Sequence, residues 1–522
     1  MSTSTTTTVG VEPFAYPVIP PSHPARTLVL CFDGTGDCFD ADNSNVVQFF
    51  SMLTKDNRKE QMVYYQAGIG TYTVPQIATP FMASVSKTLD MMIAWNLDAH
   101  VMGGYEFLMQ NSILECSIET ISISPDEAGD KICILGFSRG AYTARALAGM
   151  VHKVPFAYKM FTRTDDTGWA QSTAFKKAFS MDVDIEFVDA NWKVLFRDTV
   201  NSVGLIPHRL PFTSSNSSIR TFRHAVSLDE HRVKFKANLY NRPTAKEANL
   251  GTKPGEMPKS GTPGDDTIIA ENPSTHDIPK HQRARTKSSW RINEAIFDAK
   301  DPSAVQKTDV LEVWFAGCHC DVGGGSVGNS SRHNLARIPL RWMIRQCFLT
   351  NSGIRFHSDL LRTVGLDPAT IYPEVKERPA ALYYSPNLTA PTANTPTELD
   401  SSKENLLSFG YNGIHPTQIT SEEEEDLADA LCRIYDQLKD APYWWILELI
   451  PMRLRAQNDD TNEWFNNLTI NLGRPRKITG QKRHGIKVHR TVKIRMEAGQ
   501  AVAEGVAYTP RAKWKIEPTW VD

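Results

Sequence analysis

Residues 131–151, KICILGFSRGAYTARALAGMV, constrain the fold more than any other stretch of this chain. Ile132, Cys133, Ile134 and Leu135 form a short apolar run without polar alternation, as in a buried strand. A helix rich in Ala, Arg and Leu follows. The junction reads Gly136-Phe137-Ser138-Arg139-Gly140, a G-x-S-x-G pattern. At a strand-to-helix turn this pattern holds a serine in a strained conformation with its hydroxyl presented, and the glycines remove side chains that would collide with backbone. The helix N-terminus points at the same spot, so the Arg139 N–H can help hold an oxyanion. Ser138 is therefore the candidate nucleophile; a serine that merely caps the helix is the plainer alternative.

Thr27–Phe32 (TLVLCF) reads as a second buried strand that runs into Asp33-Gly34-Thr35-Gly36-Asp37. In a doubly wound sheet the loops after strand C-termini surround the ligand. Gly34 and Thr35 are the candidate second oxyanion donors. A phosphatase using Asp33 would want a second Asp at position 31, which is Cys. Asp40–Ser44 begins like a calcium loop but lacks the Gly and Glu such a loop requires further on. Asn43 or Asn45 is expected to cap a helix starting near Val46. Gln61–Ala67 resembles a third strand, and the spacing of Leu89, Ile93, Leu97, Val101, Tyr105 and Leu108 predicts an amphipathic helix.

Asn191–Phe196 reads as the next strand, followed by Asp198. A carboxylate there can orient a histidine, or it can cap the next element. Arg220–Phe235 looks like a charged, salt-bridged helix. Val310–Ala316 is a strand that delivers His319 into a glycine-rich loop, which allows close backbone approach. Cys318, His319 and Cys320 suggest a metal site, but adjacent residues rarely all reach one ion and no second Cys pair follows. No metal and no cofactor are expected.

The chain has 522 residues and a formal net charge of −2, so nothing global points to nucleic acid. Residues 1–24 read as a disordered tail, 25–350 as the catalytic domain and 351–522 as a C-terminal cap or accessory region. Residues 241–309, dominated by Gly, Pro, Ser, Thr and Lys, read as a largely disordered insertion. Pro339–Leu349 is expected to be helical. Ser421 with Glu424 makes a capping box, opening a helix through Leu427, Leu431, Ile434 and Leu438. Pro442–Arg455 is apolar and ends basic; its core, Tyr443–Leu454, either meets a membrane surface or is a buried cap segment. His484–Met496 and Val506–Trp514 suggest a terminal strand pair carrying His489, the alternative base. The eight cysteines are scattered, which suits a reducing compartment. With no apolar run of spanning length and no secretory signal in the opening residues, the expectation is an intracellular, cytoplasmic protein.

These motifs together resemble the α/β-hydrolase family of phospholipase-like effectors from bacterial type VI secretion, with its fungal relatives. The matching stretches are LVLCFDGTGD, YYQAGIGT, GFSRGAYTARALAGMV, FRDTVNSVG, RHAVSLDE, VWFAGCHCDVGGG and LRWMIRQC. The family usually carries Ser where this chain has Cys320, and often Trp where it has Arg197. The resemblance implies a Ser–Asp–His triad carried over as Ser138, Asp198 and His319, and esterase activity on phospholipids.

The expectation is thus an α/β fold, a mainly parallel sheet of the α/β-hydrolase type with a helical C-terminal extension. It carries a metal-independent serine esterase acting on a lipid or small ester. A non-catalytic scaffold on the same fold is the alternative.

Overall fold

Apolar runs that alternate between two helical layers build the centre of this computed structural model. It describes residues 16–34, 37–68, 97–111, 130–149, 193–197, 219–240, 308–385, 421–458 and 464–522. The central sheet has eight strands. They are β1 (Thr27–Phe32), β2 (Gln61–Gln66), β3 (Lys131–Phe137), β4 (Lys193–Arg197), β5 (Thr221–Ser227), β6 (Asp309–Phe315), β7 (Lys487–His489) and β8 (Thr519–Val521). Their spatial order is β2-β1-β3-β4-β5-β6-β7-β8. Every neighbouring pair runs parallel. The order reverses between β1 and β3, and the crevice at such a switch point is where open α/β sheets bind ligands.

The helices named below are α1 (Asn45–Met52), α2 (Leu97–Asn111), α3 (residues 138–149), α4 (His319–Gly323), α5 (Arg337–Leu349), α6 (Glu422–Ala430) and α7 (Arg490–Glu497). β1 and β3 are buried along their whole length. Val29, Cys31, Cys133 and Leu135 face one layer with Phe49 of α1 and Met343 of α5. Leu28, Leu30, Ile132 and Ile134 face the other, with Val101 of α2 and Leu147 of α3. Both faces are covered, which is why these strands show no polar alternation.

Several expectations need correction. Arg220–Phe235 is not a helix: it holds β5, all seven of whose residues are buried, and then a single 3-10 turn at Val233–Phe235. The polar residues of β5 mislead because they are satisfied internally. Arg223 donates to Gln346 and Asp309, and His224 pairs with Glu312 at 2.9 Å. The cap of α1 is Ser44, whose hydroxyl accepts from Val46 and Val47 N–H. Asn45 instead donates its amide to the carbonyls of Val322 and Ala336.

Beyond residue 351 the Ser421–Glu424 capping box is present. However, α6 stops at Ala430, and Gln437–Asp440 is a separate short turn. Arg337, Arg341 and Arg345 of α5, one per helical turn, pair with carboxylates of α6. Residues 484–496 are not one strand: β7 is three residues long and leads straight into α7. Its sheet partners are β6 and β8, not the 506–514 segment. The C-terminal region is therefore not helical alone, since it adds two strands to the sheet. The tail through residue 15, Thr35, residues 69–96, Asp198 and residues 241–307 of the expected insertion lie outside the described residues. No cysteine among the described residues is in a disulfide. No helix among them is long and apolar enough to cross a membrane.

Candidate active site

Ser138 leaves β3 at φ +56° and is 5 % exposed. A non-glycine residue in the left-handed region costs about 1–2 kcal/mol, so the surrounding structure must hold it there. The two motif glycines do this by close approach. A Cβ on Gly136 would lie 2.6 Å from Ala141 Cα, and one on Gly140 would lie 2.3 Å from the Phe32 carbonyl oxygen. Gly140 thus lets the start of α3 press against the end of β1. That contact brings the Asp33–Gly34 loop beside the serine turn.

Phe137, the residue before Ser138, is the platform on which the loops meet. A Cβ on Gly34 would come within 2.6 Å of its ring, and one on Gly323 within 1.7 Å. His319, the first residue of α4, stacks on the same ring with centroids 4.6 Å apart. Phe235 closes the other side of the imidazole edge-on at 4.9 Å. His319 is 2 % exposed, so its ring orientation is set by packing. β6 is three strands from β3, and the loop after it must fold back over the sheet to make this contact.

The neighbouring charges are buried. Glu230, from the loop after β5, accepts from the His319 N–H at 3.2 Å and from the guanidinium of Arg232. Burial raises its pKa, but Arg232, Arg476 and His319 outweigh this and hold the carboxyl at about 2. Burial, with Arg232 nearby, brings Arg139 down to about 10. Asp321 accepts from the Cys318 and Tyr435 N–H groups, yet its burial pushes it up to about 8. Asp33 accepts from Ser44, Tyr65 and the Gly34 N–H, and burial holds it up at about 6. It ties the β1 loop to the cap of α1, which argues against a nucleophilic role.

Of the other sequence candidates, Arg139 and Gly34 flank the serine turn, while Thr35 and Asp198 lie outside the described residues. The last residue of β4, Arg197, pairs in register with Phe137. The described ends of β3 and β4 therefore lie level with each other. His489 is elsewhere. It ends β7, four strands from β3, or about 19 Å at the usual strand spacing. It stacks on Phe315, bonds Thr491 at 2.9 Å, and burial drives it down to about 3. That is a packing histidine.

Three residues could suggest a metal: His333, Glu425 and Asp429 converge. The Arg337 guanidinium already sits among them, 2.8 Å from Glu425 and 3.3 Å from both His333 and Asp429. It supplies the positive charge that an ion would bring.

Sequence reasoning did not single out Phe137 or Phe235 for the site, and it took Glu230 and Arg232 as part of a salt-bridged helix face. Their ion pair is present, at 2.8 Å, but on a loop after β5 and not on a helix. Tyr443–Leu454 also resolves into two faces. Trp444, Leu447 and Met452 are buried, while Tyr443, Ile446 and Leu449 are more than half exposed. Trp444 packs on Phe235 at 5.5 Å, one side chain removed from His319.

Comparison with known proteins places these features in a family. An uncharacterized protein of Saccharomyces cerevisiae, YEL023C, is 27 % identical over 88 % of this chain and 78 % of its own length. Among solved structures, an uncharacterized protein from Pseudomonas aeruginosa matches with TM-score 0.31 and 16 % identity, covering 67 % of this chain and 49 % of that one. The Tle1 effector bound to the VgrG spike from the Type 6 secretion system matches with TM-score 0.23 and 21 % identity, covering 41 % of this chain and 48 % of that one. The chain spans about half the length of these two solved chains. The family described as T6SS, Phospholipase effector Tle1-like, catalytic domain, matches residues 26–346. With more than half of its length matched, from just before β1 into the last turn of α5, the chain belongs to the Tle1-like phospholipase effector family through its catalytic domain.

Proposed function

We propose that this protein is a serine esterase on an α/β-hydrolase-type fold, acting on phospholipids or related lipid esters. One observation carries the reading: a strained, glycine-cleared Ser138 at the sheet's switch point, with the His319 imidazole stacked on the adjacent Phe137. Strain of this kind persists at functional turns because the surroundings over-determine it. Ser138 Oγ attacks the ester carbonyl while His319 takes its proton. The imidazolium then gives that proton to the leaving alcohol, and water repeats the cycle on the acyl-enzyme. Asp198 follows the strand in register with β3 and is the proposed acid that orients the imidazole. The N–H of Arg139 and that of Gly34 or Thr35 form the proposed oxyanion hole. The lipid class of substrate rests on family membership.

The amphipathic Tyr443–Leu454 segment fits a peripheral contact with the lipid surface. Its buried side touches Phe235, and its exposed side presents apolar groups. Fluorophosphonate labelling of Ser138, with fatty-acid release from a phospholipid panel, tests the chemistry. Ser138→Ala should abolish both, and a variant keeping a tenth of the turnover would overturn it. Trp445 fluorescence should shift to the blue on adding anionic vesicles; an unchanged spectrum removes the membrane contact.

A further inference from the structure

We infer that Glu230 is the positioning residue for His319: it fixes the backbone and the ring of the base and supplies the charge that favours its protonated form. This rests on the reading of His319 as the base. Two routes of contact run from one carboxylate to one histidine. In the first, Glu230 Oε2 accepts the His319 N–H at 3.2 Å, holding the start of α4. In the second, Glu230 grips Arg232 through Nε at 3.0 Å and Nη2 at 2.8 Å. The Arg232 guanidinium then lies 3.6 Å from the centre of the Phe235 ring, and Phe235 meets the imidazole edge. Glu230 also accepts the N–H groups of His231 and Arg232, which shapes the loop itself. Glu230 is 1 % and Arg232 4 % exposed, so solvent does not loosen either route.

The charge argument follows from the same pair. When His319 takes the Ser138 proton, a cation forms one ring, that of Phe235, away from buried Arg232. Arg139 adds positive charge near Arg232, Lys234 adds it near Arg139, and Arg476 adds it near Glu230. On the other side, burial keeps the Asp321 carboxyl and the Cys318 and Cys320 thiols protonated at neutral pH. Asp229 accepts from Gly317 N–H, Arg511 N–H and the Tyr508 hydroxyl, and burial raises it. Burial thus raises Asp229 and Asp321, whereas Glu230, which bonds the His319 N–H, is held well below the usual carboxylate range; Asp436, also held low, is paired with His231. An opposite charge at close range raises a histidine's pKa, and its removal lowers it.

The test is the pH dependence of kcat/KM, whose acid limb reports the base in the free enzyme. Glu230→Gln should move that limb down by about one pH unit and reduce plateau turnover at least tenfold. Glu230→Asp, which keeps the charge, should leave the limb within a few tenths of a unit. If Glu230→Gln does not fold, the charge-balanced Glu230→Gln/Arg232→Gln double variant decides. It should keep the wild-type limb but lose at least tenfold in turnover, because Phe235 has lost its support. A folded Glu230→Gln with an unmoved limb, or a double variant with wild-type turnover, overturns the inference. Fluorophosphonate labelling of the wild type separates the cases. With Ser138 labelled and the limb unmoved, only the role of Glu230 falls; without labelling, the serine reading falls and takes this role with it.

Discussion

The serine corner and the α5–α6 interface solve opposite problems with opposite materials. The corner is built from missing side chains. Glycines let backbone approach backbone, rings stack, and one residue is held in a costly conformation. The interface is built from long, charged side chains out of water. Arg341 bonds Asp426 at 2.6 Å and Asp429 at 2.7 Å, while Arg337 and Arg345 reach Glu425 and Glu422. Arg378 bonds Asp426 and Glu423 of the same helix, and Arg490 bonds Glu423. Burying such charges gains little over an apolar contact, but mispairing them is expensive. A slip of one helical turn would strand a charge, so the ladder fixes register between segments distant in sequence. The corner joins segments at least as remote in sequence, but close backbone approach and ring stacking, not paired charges, align them. Strain here holds a geometry for chemistry, and charge there holds an alignment.

Replacing the strained residue should separate the two regions most sharply. Ser138→Gly should lower kcat/KM by at least about ten-thousand-fold, yet raise stability by about 1 kcal/mol because glycine tolerates positive φ. Denaturant unfolding beside an ester assay reads both, and a destabilised Ser138→Gly would refute stored strain. Arg341→Met should do the reverse, costing about 3–5 kcal/mol by leaving Asp426 and Asp429 short of a partner. Activity per folded molecule should survive; if it falls with stability, the interface and the corner are one unit.

Acid should also divide them. Arg341 and Arg378 hold Asp426 well below its usual range, and Arg337 and Arg341 do the same for Asp429. A depressed folded pKa gives stability that is present above the unfolded value and lost as pH falls through the folded one. Burial raises Asp33 to about 6 and Asp321 to about 8, which has the opposite sign. Their contribution is full below the unfolded value near 4 and declines as pH rises through the folded values. Hydrogen exchange should therefore show the corner tightening from pH 8 down to about 4.5, with the interface flat there and loosening below. Parallel behaviour of both regions would erase the contrast. The smallest effect belongs to Ser421→Ala, which removes half of the capping box and should cost about 1 kcal/mol by thermal unfolding.

Legibility in the sequence followed the same division. β1, β3 and α5 could be read because burial on one or both faces writes an apolar pattern. The Ser421 box could be read because its partners are three residues apart. β5 could not, because Arg223 and His224 are buried with partners on α5 and β6 that no local window contains. The pairing of Arg341 with Asp426 was invisible for the same reason. Around the site, the turn at Ser138 was legible from its glycines. The platform of Phe137, Phe235 and Arg232 was not, since ring contacts across three loops leave no periodic trace.

The register of β7 has a consequence for how this chain is made. Val488 pairs with Trp314, so β6, the strand that leads to His319, keeps an open edge until residue 488 has been synthesised. Pairings so remote in sequence form late and slowly. A nascent chain halted earlier would carry the serine turn and the histidine loop but expose an unpaired, partly apolar strand to other chains. Emergence of residue 488, rather than of the serine and histidine segments, would then mark the moment at which this edge is covered. Translation arrest before residue 488 should accordingly yield aggregates recognised by chaperones.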